Sequence, residues 1–307
     1  MGRSYATVIV VDYVDLGGYN PKYTYDVEKV GRAGKSYVNL LTQQLTVIRD
    51  DFSILGENQF TLGMMFDSAT SKKLQELGHT GVLAYGNNWI PNYLRAYLFT
   101  DENHVTYYTK TGSVVEFLRS TDDEGNSIYT ELLYGSSESS GYEFEYHPAT
   151  ADLPEYYTVT GPDGCIEKFN SFGLLVSETI SGNPARSINI QYDNKSRIDS
   201  IADAYGGTYD YAYEDKGLVS TVTYTSANQE YTRTIYYEHD RYNNLTRIEA
   251  VDENNRNYVC GYEYDINGNM SEIIYGAVEE DGTIVDTVGI RYIYDDSGKI
   301  KELKELT

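Results

Sequence analysis

The sequence predicts an all-β protein made of repeated antiparallel β-hairpins that form one curled sheet. Three observations predict this class: a turn motif that recurs in phase, side chains that alternate with a period of two before each turn, and a high tyrosine content. The 307 residues include 33 Tyr, against 8 Phe and 1 Trp. Tyrosine suits strands, because its ring packs on a half-buried surface while its hydroxyl keeps a polar partner.

The turn motif is clearest in the C-terminal half. The pair Tyr264-Asp265 is followed by Gly268 and then by the apolar residues Met270 and Ile273. Other copies of this frame begin at Phe169, Tyr192, Tyr213, Tyr237 and Tyr294, at spacings of 21 to 30 residues. The copy that begins at Tyr237 fits only with a two-residue insertion. These spacings suit one hairpin and a connection, and they are too short for propeller blades of about 40 residues.

Each copy is interpreted as a hairpin. Alternating residues such as Tyr258, Cys260 and Tyr262 precede the turn, and a period of two places them on one face of a sheet. Asp or Asn opens the turn, and Gly or Asn then adopts the positive φ that a tight turn requires. Positive φ is therefore predicted at Gly217, Asn243, Gly268 and Gly298. The two apolar residues after the turn lie three apart, which predicts a β-bulge or a shift of face between them.

The N-terminal half lacks this period but still contains strand-like runs, among them Val105–Tyr108 and Tyr142–Tyr146. Residues 68–77 carry the one helical pattern. We expect an N-terminal segment at 1–35, a β region at 36–155 and the hairpin array at 156–307.

Composition limits the possible partners. The net charge of −23 opposes binding to phosphate backbones, so nucleic acid is not expected as a partner. The longest early apolar run, Val8–Val11, is too short for a signal peptide or a membrane span. We therefore expect no signal peptide in this chain and no membrane insertion.

No motif in the sequence indicates catalysis, a cofactor or a metal. Cys165 and Cys260 lie far apart, and the four histidines have no zinc-site spacing. Asp265 and Asn267 resemble the start of a calcium loop, but glycine falls at the fourth position instead of the sixth, which favours an ordinary turn. Three Asn-x-Ser/Thr sequons lie at turns, where asparagine is favoured for its backbone conformation. We expect a protein that is not an enzyme.

The repeat frame resembles the YD repeat of the Rhs family. The resemblance extends upstream, where Tyr37–Thr42 and Asp51–Ile54 look like the segment that precedes Rhs repeats. Gln43 stands where that family usually has glycine. Tyr85–Trp89 is similar to its Y-G-x-G-W motif, with Asn88 in place of the second glycine.

The resemblance implies part of an Rhs-type β-shell, like those of teneurins and Tc toxins, which is secreted or lies at the cell surface. Its partners would be the remainder of the same shell or an enclosed effector polypeptide such as a toxin. The Asp-Pro self-cleavage motif of complete Rhs proteins does not occur in this sequence.

An alternative function is a surface module that binds glycans through exposed tyrosines, and the exposure of Tyr209 and Tyr211 distinguishes the two. We also expect the strands at Tyr258–Tyr264 and Ile290–Tyr294 to leave open edges that self-associate or bind a continuation of the shell.

Overall fold

The computed structural model describes residues 24–54, 60–68, 84–92, 97–100, 103–109, 114–133, 139–180, 183, 187–251, 256–279, 281 and 283–306. The protein is all-β, as predicted, and its sheets are antiparallel. Of the predicted helix at 68–77, Ser68 is described and residues 69–77 lie outside the described residues. The run Val8–Val11 also lies outside them.

Two smaller sheets come from the N-terminal half. The five-stranded sheet contains β1 (Tyr25–Val30), β2 (Gly34–Asn39), β3 (Leu45–Ile54), β4 (Phe60–Asp67) and β5 (Trp89–Pro91), with a 3-10 turn at Gly31–Ala33. The four-stranded sheet contains β6 (Tyr97–Thr100), β7 (His104–Tyr108), β8 (Val114–Thr121) and β9 (Ser127–Glu131). In both sheets each strand pairs with the next one along the chain.

The third sheet has fourteen strands in sequential order and does not close into a barrel. Its strands are β10 (Glu143–His147), β11 (Tyr156–Thr160), β12 (Ile166–Asn170), β13 (Leu175–Thr179), β14 (Ser187–Tyr192), β15 (Ile198–Ala202), β16 (Thr208–Tyr213), β17 (Val219–Thr225), β18 (Thr232–His239), β19 (Leu245–Val251), β20 (Asn257–Tyr264), β21 (Met270–Val278), β22 (Ile284–Tyr294) and β23 (Ile300–Leu306). We call it the repeat sheet.

The hairpin frame is confirmed in its backbone details. Gly217, Asn243, Gly268 and Gly298 all have positive φ, between 68° and 86°. Ser196, which replaces glycine in the copy at Tyr192, also has positive φ, at 59°. The pairing shifts register at every repeat hairpin, where one residue after the first apolar position has no partner of its own. These shifts are the predicted bulges.

The predicted register of one copy is wrong. His239 pairs with Leu245, as Tyr264 pairs with Met270, and Asn243 bonds back to Asp240 as Gly268 does to Asp265. The copy therefore begins at His239 and needs no insertion. The frame has no tyrosine at its first position here. Tyr237, two residues earlier, lies on the same face of the sheet because side chains alternate with a period of two, and it therefore resembled the first residue of the frame.

The predicted open edges are also wrong. The strand containing Tyr258–Tyr264 pairs with β19 and β21, and the strand containing Ile290–Tyr294 pairs with β21 and β23. Because each hairpin adds its strands in sequence, β10 and β23 are the strands of the repeat sheet that pair with one neighbouring strand alone among the described residues.

The core lies between the repeat sheet and the two smaller sheets. Phe52 of β3 packs against Tyr209 of β16, with ring centroids 5.3 Å apart. Phe117 of β8 packs against Phe144 of β10 at 5.6 Å. One cluster of buried side chains extends from Val30 to Ile300. The inner face of the repeat sheet is thus packed against the N-terminal half of the same chain.

Candidate functional site at the inner face of the repeat sheet

Where a copy of the frame begins with tyrosine, that tyrosine joins its hairpin to the one before it. Its hydroxyl donates to the carbonyl oxygen of the first apolar residue after the preceding turn. This bond measures 2.7 Å from Tyr192 to Leu175, 2.5 Å from Tyr213 to Ile198, 2.9 Å from Tyr264 to Leu245 and 2.7 Å from Tyr294 to Met270. We call these bonds the tyrosine links. They explain why four of the six copies begin with tyrosine, although phenylalanine would supply the same ring.

The second residue of the frame closes the turn. The Asp265 carboxylate accepts hydrogen bonds from the backbone N–H groups of Asn267 and Asn269, at 2.8 and 2.9 Å. Asn170, Asp193, Asp240 and Asp295 accept equivalent bonds two and four residues ahead. The residues that resemble a calcium loop thus form an ordinary turn.

A second set of tyrosines, two residues before the turn pair, points into the core. Tyr211, Tyr237, Tyr262 and Tyr292 are between 2% and 9% exposed, and Tyr209 is 1% exposed. Rings that stack on a sugar must reach solvent. The burial of Tyr209 and Tyr211 therefore argues against the glycan-binding interpretation for this face and favours its role as core.

A buried ion pair lies at the centre of this face. Arg49 and Asp51 of β3 are 1% and 4% exposed, and the Arg49 Nε donates to Asp51 Oδ1 at 2.7 Å. Tyr237 donates to the other Asp51 oxygen at 2.8 Å, and Arg49 Nη1 donates to the Tyr262 hydroxyl at 2.9 Å. Tyr262 in turn donates to the Ala33 carbonyl oxygen at 2.9 Å. The pair on the five-stranded sheet thus has hydrogen-bonded partners on the repeat sheet, as buried charges require.

The phenols around this pair are held in their protonated form. Burial raises the pKa of Tyr237 well above its usual 10, and the charge of Asp51 raises it further. Burial also raises the pKa of Tyr85 and of Tyr262. These hydroxyls therefore stay un-ionised at any ordinary pH and act as hydrogen-bond groups, which suits a structural role.

The Y-G-x-x-W segment is part of the same contact. The Trp89 indole donates to the Tyr264 hydroxyl at 3.0 Å, and its ring packs edge-on against Tyr262. Gln43 and Asn88, which replace family glycines, have φ values of 58° and 64°. The backbone at both positions is thus left-handed, which explains why glycine is usual there.

The four-stranded sheet covers the start of the repeat sheet. Tyr107 of β7 donates to the Glu167 carboxylate at 2.8 Å. A cavity of about 150 Å³ lies beside this bond and is lined by Thr109, Cys165, Glu167 and Glu178 among others. Glu167 and Glu178 are directly opposite on β12 and β13, and both are buried.

The cysteines and histidines considered as metal ligands or catalytic groups do not cluster in the described part of the chain. Cys165 and Cys260 form no disulfide. Among the described residues no three His, Cys, Asp or Glu side chains are placed to hold a metal ion. His104, His147 and His239 lie on three different strands, β7, β10 and β18, and His79 lies outside the described residues. The described residues also include no helix long and apolar enough to cross a membrane.

No protein-family model and no curated protein matches the chain. Among solved structures it is similar to a TcdB2–TccC3–Cdc42 complex, with a TM-score of 0.41 and 13% identity over 89% of this chain and 15% of that one. It is also similar to the Photorhabdus luminescens Tc holotoxin pore, with a TM-score of 0.29 and 11% identity over 90% and 18%.

A third similar structure is the N-terminal domain of the effector SpvB from Salmonella typhimurium, with a TM-score of 0.30 and 12% identity over 84% of this chain and 99% of that one. The chain spans less than a fifth of the Tc toxin chains that it resembles. The Rhs family remains a resemblance carried by the sequence motifs.

Proposed function

We propose that this protein is a non-enzymatic structural segment of an Rhs-type shell, exported or surface-associated, that presents or encloses another polypeptide. The observation that carries the proposal is the phased hairpin frame, which builds an open fourteen-stranded sheet through one repeated bond. A wall that grows by a recurring junction can be extended by further repeats.

The other polypeptide would meet this segment at an edge of the sheet, because the inner face is already packed against β1–β5. At the end of the array, β23 pairs only with β22 within the described residues, and Lys301, Glu302, Lys304 and Glu305 on it are exposed. Ile300 stands at the frame position whose carbonyl accepts the next tyrosine link in the earlier repeats. An incoming strand with a tyrosine in this register would continue the sheet by β-strand addition.

A hairpin peptide tests this edge. We expect a labelled peptide of residues 256–279, which carries Tyr264, to bind the full chain in fluorescence anisotropy, and the same peptide with Tyr264→Phe to bind more weakly. An edge-blocked variant, Glu305→Pro, should lose binding, because proline removes an N–H donor from the open side of β23. Failure of the unmodified peptide to bind at millimolar concentration would overturn edge presentation.

The non-enzymatic part of the proposal is tested separately. The purified chain should show no turnover of glycan, peptide or ester substrates above a heat-denatured control. Turnover that one Asp or Glu substitution abolishes, in a variant with unchanged thermal stability, would show that the protein is an enzyme.

A further inference from the structure

One junction of the repeat sheet differs from the others, and a segment of the N-terminal half is seated on it. We call residues Ala84–Asn88 the docking segment. The Val219 N–H donates to the Ala84 carbonyl oxygen at 2.7 Å, and the Asn87 N–H donates to the Asn243 carbonyl oxygen at 2.9 Å. The Asn87 side-chain amide also donates to the Tyr242 carbonyl oxygen at 2.8 Å. The segment therefore bridges the third and fourth repeat turns through backbone groups.

The frame tyrosine is replaced by histidine at this junction. His239 stands where Tyr192, Tyr213, Tyr264 and Tyr294 make their links, and its side chain is 1% exposed. Its Nε2 lies 3.2 Å from the Tyr85 carbonyl oxygen. The residue that should join this hairpin to the preceding one contacts the docking segment instead.

The docking segment approaches this junction too closely for a larger side chain. A Cβ atom on Gly86, whose φ is 104°, would lie 2.8 Å from the Asn243 carbonyl oxygen and 3.2 Å from His239 Cδ2. A tyrosine ring at position 239 would extend further than imidazole, into the space that the segment occupies. The close contact therefore needs both a small residue at position 86 and a side chain no longer than histidine at position 239.

The turn before this junction is altered as well. Glu214 holds the position where the other turns have Asp or Asn, and its Oε1 lies 3.0 Å from His239 Nδ1. The longer side chain thus reaches the histidine ring, whereas Asp in this frame closes its own turn. Both departures from the frame, Glu214 and His239, meet at one point beneath the docking segment.

We infer that Glu214 and His239 are positioning residues that mark the junction at which the N-terminal half is seated on the repeat sheet. Successive hairpins present nearly the same inner face, so apolar packing alone would allow the five-stranded sheet to dock one repeat earlier or later. A histidine in place of the tyrosine link makes this junction distinct. This role goes beyond the proposed shell function and does not depend on it.

Residue-resolved hydrogen exchange of the full chain tests this role. His239→Tyr should accelerate exchange of the Asn87 and Val219 amides by about tenfold or more, because the segment that protects them is displaced. Amides in the β21–β22 ladder, such as that of Ile273, should keep their protection. The matched control is Tyr192→His, which changes the same frame position in another repeat and should leave Asn87 protected. Equal protection of Asn87 in wild type and His239→Tyr would overturn the inference.

Conservative variants separate positioning from mere packing. His239→Gln keeps an N–H donor for the Tyr85 carbonyl oxygen and should restore most of the protection at Asn87. Glu214→Gln should also retain it, because an amide can donate to Nδ1, whereas Glu214→Asp should weaken it by returning the carboxylate to the turn. Loss of protection in His239→Gln equal to that in His239→Tyr would show that the residue only fills space, and would overturn the inference.

Discussion

The repeat sheet and the five-stranded sheet are stabilised in different ways. In the repeat sheet the same bond recurs between neighbouring hairpins, as from Tyr213 to Ile198 and from Tyr294 to Met270. The five-stranded sheet relies on single contacts, chiefly the Arg49–Asp51 pair and Trp89. Many small local hydrogen bonds thus stabilise the repeat sheet. A few long-range contacts attach the five-stranded sheet to it. The difference predicts which changes act broadly and which act at one place.

High pH should have the largest effect, and it should act first where buried phenols are concentrated. Tyr85, Tyr237 and Tyr262 keep their protons in the folded protein because burial raises their pKa. In the unfolded chain they ionise near pH 10, so the unfolded state is favoured as the pH rises above 10. Each such phenol lowers the free energy of unfolding by about 1.4 kcal/mol per pH unit above 10.

Absorbance of tyrosinate at high pH measures this effect. We expect a steep, cooperative rise that coincides with loss of the circular-dichroism signal, with stability unchanged below pH 10. A gradual titration of all the tyrosines near pH 10, with the fold intact, would contradict the assignment of these rings to the core.

Breaking the buried ion pair should have the next largest effect. Arg49→Met leaves the Asp51 carboxylate buried without its cation and should lower the free energy of unfolding by about 3–5 kcal/mol in urea denaturation. The control is Arg247→Met, whose partner Glu249 is half-exposed and whose loss should cost less than about 1 kcal/mol. Equal losses of stability in the two variants would show that the attachment of the five-stranded sheet does not depend on this pair.

Strain at a single repeat turn should have a smaller effect. Gly268 has a φ of 82°, and a Cβ atom there would meet no atom within 4 Å, so a side chain adds backbone strain alone. Gly268→Val should lower the free energy of unfolding by roughly 1–3 kcal/mol. In the control, Gly261→Ala, the added Cβ makes an ordinary contact at 3.9 Å. An unchanged melting temperature for Gly268→Val would contradict the turn assignment.

Removal of one tyrosine link should have the smallest effect. Tyr294→Phe deletes only the hydroxyl that donates to Met270 and should lower the free energy of unfolding by about 0.5–1.5 kcal/mol. Tyr242→Phe, at a ring that is 63% exposed, serves as the control and should change stability less. If the two variants had the same stability, the tyrosine links would contribute nothing to the array.

The hairpin frame could be predicted from the sequence alone because its determinants are local. A turn that needs positive φ selects Gly or Asn within a few residues of the Asp that closes it, and this held at Gly217, Asn243, Gly268 and Gly298. The β-bulges were also predicted, since a three-residue spacing of apolar positions cannot keep one face of a strand. The all-β class followed from the same signals.

The local sequence pattern gave a wrong prediction where the identity of a residue depends on a distant contact. His239 was missed as the start of its copy because its side chain fits the docking segment, which lies more than 150 residues earlier in the chain. The open edges were misplaced because each hairpin also pairs with the next one, so that β20 and β22 both have neighbours on two sides.

The sequence by itself determined the hairpins, their turns and their bulges, because these depend on backbone preferences over five to ten residues. Only the tertiary structure decided what covers the tyrosine face and which junction receives the docking segment. Arg49 and Tyr262 are 213 positions apart, and Tyr237 and Asp51 are 186 apart. No periodicity along the chain encodes such contacts, because they exist only after two sheets have packed and excluded water from the charges between them.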